Sequence, residues 1–144
     1  MIARLLPCSL AMATLVAAAS AVSAQYAAPP TLALELNSLQ PSEKGCRLTF
    51  VVTNNLGADL ANAAFEIALF SDAGVVDRLT VLDFNELPAG KTKVARFDLA
   101  GTDCAKVSRV LINHTTECVG TGIDPHACQR QLKPETRSGI TFGM

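Results

Sequence analysis

Four residues in the last third of the chain have side chains that could act together. His114, Cys118, His126 and Cys128 fall within 15 positions, spaced His-x3-Cys and His-x-Cys. Two imidazoles and two thiolates would hold Zn²⁺ tetrahedrally, and the same soft set would accept copper. This reading needs both cysteines reduced, and the spacing matches no standard zinc motif. The competing reading is a disulfide between Cys118 and Cys128 flanked by two ordinary histidines. In that case His114 ends a strand, His126 is exposed on a loop, and only the two histidines could still bind a metal.

The choice turns on where the chain works, and its first residues bear on that. Arg4 supplies a positive start, and Leu5 to Ala19 is a short apolar run interrupted only by small polar residues. Val22-Ser23-Ala24 then places small side chains where a signal peptidase reads them, so cleavage is expected after Ala24. The apolar run is too short for a membrane span of about 20 residues, and no later segment approaches that length. The expected mature chain, Gln25 to Met144, has 120 residues, 11 basic and 13 acidic, for a net charge of −2. That length suits one domain with a real core. No run of like charge appears, which argues against nucleic acid or anionic lipid as partner. Cys8 belongs to the discarded leader. Cys46, Cys104, Cys118 and Cys128 remain, and an even number in an exported chain reads as two disulfides.

Other chemistry finds little material. There is no Gly-x-Ser-x-Gly elbow, and two histidines offer few general bases. Asp72, Asp77, Asp83 and Glu86 cluster around one hairpin, but a paired-carboxylate hydrolase needs two of them converging in a cleft. Alternate positions on a hairpin read as a solvated face. Phosphate-cradling glycines, His-Glu-x-x-His and calcium-loop patterns are absent. Asn113-His114-Thr115 is a glycosylation sequon in form, but the alanine-rich leader is of a bacterial kind. No catalytic residue and no cofactor is expected.

The elements that must position these residues are strands. Leu32, Leu34 and Leu36 alternate with polar or small neighbours; so do Cys46, Leu48, Phe50 and Val52, then Phe65, Ile67 and Leu69, then Ala95, Phe97 and Leu99. Period two is the mark of a half-buried strand. A further strand is expected over Val107–Thr115, and a last one at Ile140 and Phe142. Another lies near Val75–Phe84, its alternation broken at Val81-Leu82, where a bulge is expected. Asn54-Asn55-Leu56-Gly57 and Ser71-Asp72-Ala73-Gly74 read as turns. Leu87-Pro88-Ala89-Gly90-Lys91 is a clear break, and Ala58–Ala64 reads as a loop with helical character. Six or seven strands with one apolar face each must close over one another. The expected fold is an all-β, antiparallel, immunoglobulin-like sandwich of about seven strands in one domain, residues 25–144. The antibody-type hallmarks are missing: there is no Trp, and the one Tyr is Tyr26.

That topology selects among the three possible cysteine pairings. If the strand starting at Cys46 runs antiparallel beside the one ending near Leu99, Cys104 lies close to Cys46. Cys118 and Cys128 then close a short loop. Between Glu117 and Glu135 the strand pattern stops, and Gly120, Gly122, Pro125 and Pro134 mark a long, disulfide-clamped loop. Such loops often carry function.

Two stretches carry a resemblance. Leu34 to Asn55, with its Gly-Cys-Arg-Leu-Thr-Phe strand, and Leu87 to Asn113, with its Cys-x-x-Val-x-x-Val-Leu-Ile run, resemble a family of small exported alphaproteobacterial proteins without assigned activity. The resemblance implies a periplasmic home and a sandwich fold. The expectation for function is a non-enzymatic module binding an envelope protein or envelope component, through a free sheet edge or the late loop. The alternative is a small periplasmic metal-binding protein using His114 and His126.

Overall fold

The computed structural model describes residues 23–144. The expected leader at 1–24 lies outside the described residues except for Ser23 and Ala24, and Cys8 lies outside them too. Eight strands form two sheets: β1 (Thr31–Pro41), β2 (Gly45–Asn55), β3 (Asn62–Ser71), β4 (Val76–Asp83), β5 (Thr92–Ala100), β6 (Val107–Val119), β7 (Leu132–Thr136) and β8 (Thr141–Gly143). One sheet has the order β5-β2-β1-β7, the other β4-β3-β6-β8, and they pack as an immunoglobulin-like sandwich.

The alternating leucines explain the first sheet. Leu32, Leu34 and Leu36 on β1 and Cys46, Leu48, Phe50 and Val52 on β2 are all at most 2% exposed, whereas their neighbours face solvent. β2 pairs antiparallel with β1 on one side and β5 on the other, with Cys46 opposite Leu99. β2 begins at Gly45 because the end of β5 comes too close for a side chain: a Cβ there would sit 2.1 Å from the Leu99 carbonyl oxygen. The second sheet is built on the β3–β4 hairpin, whose turn needs the left-handed conformation that Gly74 adopts, φ 74°.

Phenylalanines fill the space between the sheets. Phe50 lies 5.6 Å from Phe84, 6.0 Å from Phe97 and 5.7 Å from Phe142, and Phe84 lies 5.9 Å from Phe65. Four of the five ring pairs meet edge-on, the geometry the ring quadrupoles favour. A polar side chain shares this interior. Asn54 is fully buried, donates to the carbonyl oxygens of Ala58 (2.9 Å) and Leu87 (2.7 Å), and accepts from the Leu56 amide (3.0 Å). It thereby supplies partners to loop backbone that water cannot reach.

Four expectations need correction. The expected all-β sandwich forms with eight strands among the described residues, but two pairings are parallel where all were expected antiparallel: β1 with β7 and β6 with β8. The segment from Glu117 to Glu135 is not one long loop. β6 runs on to Val119, a turn follows, then the one-turn helix α1 (Ala127–Arg130), then β7. β7 leaves little trace in the sequence because it has five residues and carries Pro134, which an edge strand tolerates. The bulge in β4 is at Asp77, between the pairs Leu69–Arg78 and Phe70–Val76, and not at Val81-Leu82. The segment Ala58–Ala64, expected as a loop with helical character, instead bridges from Leu60 to Leu87 and enters β3 at Asn62.

Candidate functional site

Cys118 and Cys128 are bonded to each other, as are Cys46 and Cys104, with Cα atoms 5.8 and 5.0 Å apart. The donor set His114, Cys118, His126 and Cys128 therefore offers no thiolate. Among the described residues no three His, Cys, Asp or Glu side chains gather around a common point. His114 sits on β6 with Nδ1 3.4 Å from Glu66 Oε1, and that carboxylate also accepts from Asn113 Nδ2 at 2.6 Å. His126 precedes α1, where its backbone N–H donates to Asp124 Oδ1 at 2.8 Å. That bond first, and the Arg130 guanidinium second, hold the Asp124 carboxyl below its ordinary pKa. Asp124 thus fastens the turn that leads to Cys128.

The carboxylates around the hairpin do not form a cleft. Asp77 and Asp83 are exposed on β4, and Asp83 Oδ1 accepts from the Asn85 amide at 2.8 Å. The hollow beside the Cys118–Cys128 bridge, about 390 Å³, has Glu117 as its one charged lining residue, and Asn62 donates to that carboxylate. A wider hollow of about 790 Å³ is lined by Glu43 and Lys44 as well as Arg47 and Asp98. There Arg47 Nε donates to Asp98 Oδ1 at 2.9 Å and holds that carboxyl below its usual range. The pair neutralises itself and leaves little charge for a ligand.

The feature that stands out is a sheet edge. Eight large apolar side chains are exposed among the described residues. Four of them, Val75 (62%), Val76 (49%), Leu79 (56%) and Val81 (52%), lie on β4 and its turn, and a fifth, Val94 (56%), lies on the outer face of β5 in the other sheet. β4 and β5 are the free outer strands of their sheets. Both stand on the same side of the sandwich. The rings of Phe84 and Phe97 are 5.1 Å apart, Lys93 Nζ donates to the Phe84 carbonyl oxygen at 2.8 Å, and Arg78 Nη1 donates to the Ala100 carbonyl oxygen at 2.6 Å.

The two sides of the sandwich are guarded differently. On the far side the outer strands are β7, five residues long with Pro134, and β8, three residues long. Short strands and proline are the usual means of blunting an edge. On the near side β4 has eight residues and β5 nine, neither contains proline, and both keep a run of unpaired backbone donors and acceptors. The interrupted alternation at Val81-Leu82 was the sequence signal for this surface. It arises because Leu82 faces the core while Val76, Leu79 and Val81 face out.

The clamped late segment is the poorer surface. Ala127, Cys128 and Leu132 anchor it in the core, and its exposed residues are mostly polar, Val119 being the one large apolar side chain exposed there. In comparisons with known proteins the chain matches no family model, no curated protein and no solved structure.

Proposed function

We propose that this protein is a non-enzymatic, exported binding module of the bacterial envelope, engaging a polypeptide by strand addition along the side formed by β4 and β5. The observation that carries this reading is the edge strand β4. It presents an unpaired backbone together with Val76, Leu79 and Val81 on its outer face. Strand addition draws affinity from main-chain hydrogen bonds and specificity from alternate side chains, and β4 offers both. Two disulfides and the absence, among the described residues, of a helix long and apolar enough to cross a membrane are compatible with work outside the cytoplasm. The resemblance to exported alphaproteobacterial proteins supports the same compartment.

A photo-crosslinking residue placed at Leu79 in the exported, full-length protein tests the reading, with the same residue at Lys133 on β7 as control. Covalent adducts to polypeptide are expected from position 79 and not from 133. Position 79 free of adducts, or equal labelling from both positions, would overturn it.

A further inference from the structure

We infer that the polypeptide taken up by this side is a second copy of the same chain, bound so that β4 of each copy pairs with β5 of the other. The inference rests on the reading of the β4–β5 side as a strand-addition surface and names its occupant.

Charge selects the pairing. The outer row of β4 carries Asp77 and Asp83 around Leu79 and Val81. The outer row of β5 carries Thr92, Val94, Arg96 and Asp98; Asp98 is already paired with Arg47, and no ion pair engages Arg96 among the described residues. Lys91 lies just before β5. One edge is therefore acidic with an apolar centre, the other basic with an exposed valine. Pairing β4 with β4 fails by the same logic. A two-fold centred on Thr80 sets Leu79 against Val81 of the second copy, but it also sets Asp77 against Asp83, and like charges directly opposite are unfavourable. Centring on Leu79 or Val81 instead sets a carboxylate against an apolar side chain.

Geometry lets both β4–β5 ladders form in one contact. The two strands are stacked at the same side of the sandwich and run in opposite directions. Arg78, early in β4, reaches Ala100 at the end of β5, whereas Lys93, early in β5, reaches Phe84 just past β4. A two-fold axis parallel to the strands exchanges the two layers and keeps every strand's direction. It brings β5 of the second copy alongside β4, antiparallel and with the outer faces matched, while β4 of that copy comes alongside β5. Each four-stranded sheet becomes half of an eight-stranded one, and the contact closes on itself as a two-fold interface must. A single ladder is small beside the roughly 1,000 Å² that a specific interface needs, and the symmetric arrangement doubles it.

Sedimentation of the mature chain, Gln25 to Met144, at roughly 100 μM tests the inference, a concentration that populates a contact of standard size even when it is weak. A dimer is expected. L79K on β4 and V94K on β5 should each weaken it about ten-fold or more. Both positions face solvent, so urea midpoints of the two variants report whether folding is intact, and either variant suffices if the other misfolds. D77K/D83K should weaken the dimer, and adding R96E to it should restore association. A monomeric wild-type chain, or a dimer indifferent to L79K and V94K, would overturn the inference. If the chain is monomeric while position 79 still crosslinks to a different polypeptide, the proposed function stands and only the identity of the occupant falls. Without either dimer or crosslinks, both fall.

Discussion

Arg78, on the outer strand of one sheet, donates through Nη1 to the carbonyl oxygen of Ala100 at the end of the other sheet's outer strand, at 2.6 Å, and to Thr102 Oγ1 at 3.2 Å. The contact bridges the two layers at the side where both edges are open. Thr102 is one of two buried polar residues among the described residues, and its hydroxyl accepts from Arg78. Replacing Arg78 with methionine keeps the aliphatic stem but removes both bonds. A loss of about 1.5–3 kcal/mol in urea unfolding is expected, the range for hydrogen bonds to charged groups. A variant as stable as wild type would show that the bridge is ornamental.

Asn54 is the polar centre of the turn region. Its amide donates to two loop carbonyl oxygens, so the direction of its hydrogen bonds matters as well as their number. Asn54→Ala should destabilise by about 2–4 kcal/mol, because it orphans buried carbonyls. Asn54→Asp should cost more than Asn54→Ala, since it aims a carboxylate at those same oxygens. Chemical denaturation of both variants checks the order, and the reverse order would be inconsistent with the assigned amide orientation.

The two disulfides should contribute unequally. Cys46–Cys104 closes a separation of 58 residues and Cys118–Cys128 one of 10. Chain entropy assigns about 4 kcal/mol to the first and about 3 to the second. The first also ties β2 to the turn where the chain crosses from β5 to β6, and so from one sheet to the other. Unfolding of Cys46→Ala/Cys104→Ala against Cys118→Ala/Cys128→Ala should reproduce that ranking.

Phe50 touches Phe84, Phe97 and Phe142 and is 1% exposed. Phe50→Ala should cost about 3–5 kcal/mol through lost contacts and the cavity left behind, and Phe50→Leu should cost less. A calorimetric midpoint that barely moves on Phe50→Ala would mean that the sheets close over the space.

Acid should weaken the fold through three carboxylates held below their ordinary pKa. Glu35 is lowered first by the Asn37 amide and then by Arg137, Asp98 by Arg47, and Asp124 by the His126 N–H and Arg130. A depressed folded value means the contribution is fully present above the unfolded value of about 4. It is lost as the pH falls through the lower folded value. The melting temperature should therefore be insensitive to these groups between about pH 5 and 7 and fall below about pH 4. The fall should be shallower when all three residues are changed to their amides.

The strands were legible wherever one face alone is buried. At Leu32-Leu34-Leu36 and Cys46-Leu48-Phe50-Val52, period-two alternation is a direct image of the pleat, so local sequence and burial say the same thing. From those strands the neighbourhood of Cys46 and Leu99 followed, and with it the Cys46–Cys104 bridge. Three features were not legible, each for its own reason. β7 has too few residues to show a period, and its partner lies 100 positions away at Leu32. The burial of Asn54 depends on the Leu87 loop folding over it. The open side formed by β4 and β5 exists because two strands at the ends of different sheets are stacked. Alternation records which way a side chain points but not which strand has a neighbour. Pairing is a long-range property, so the edges, and the surface they make, were decided only when the sheets closed.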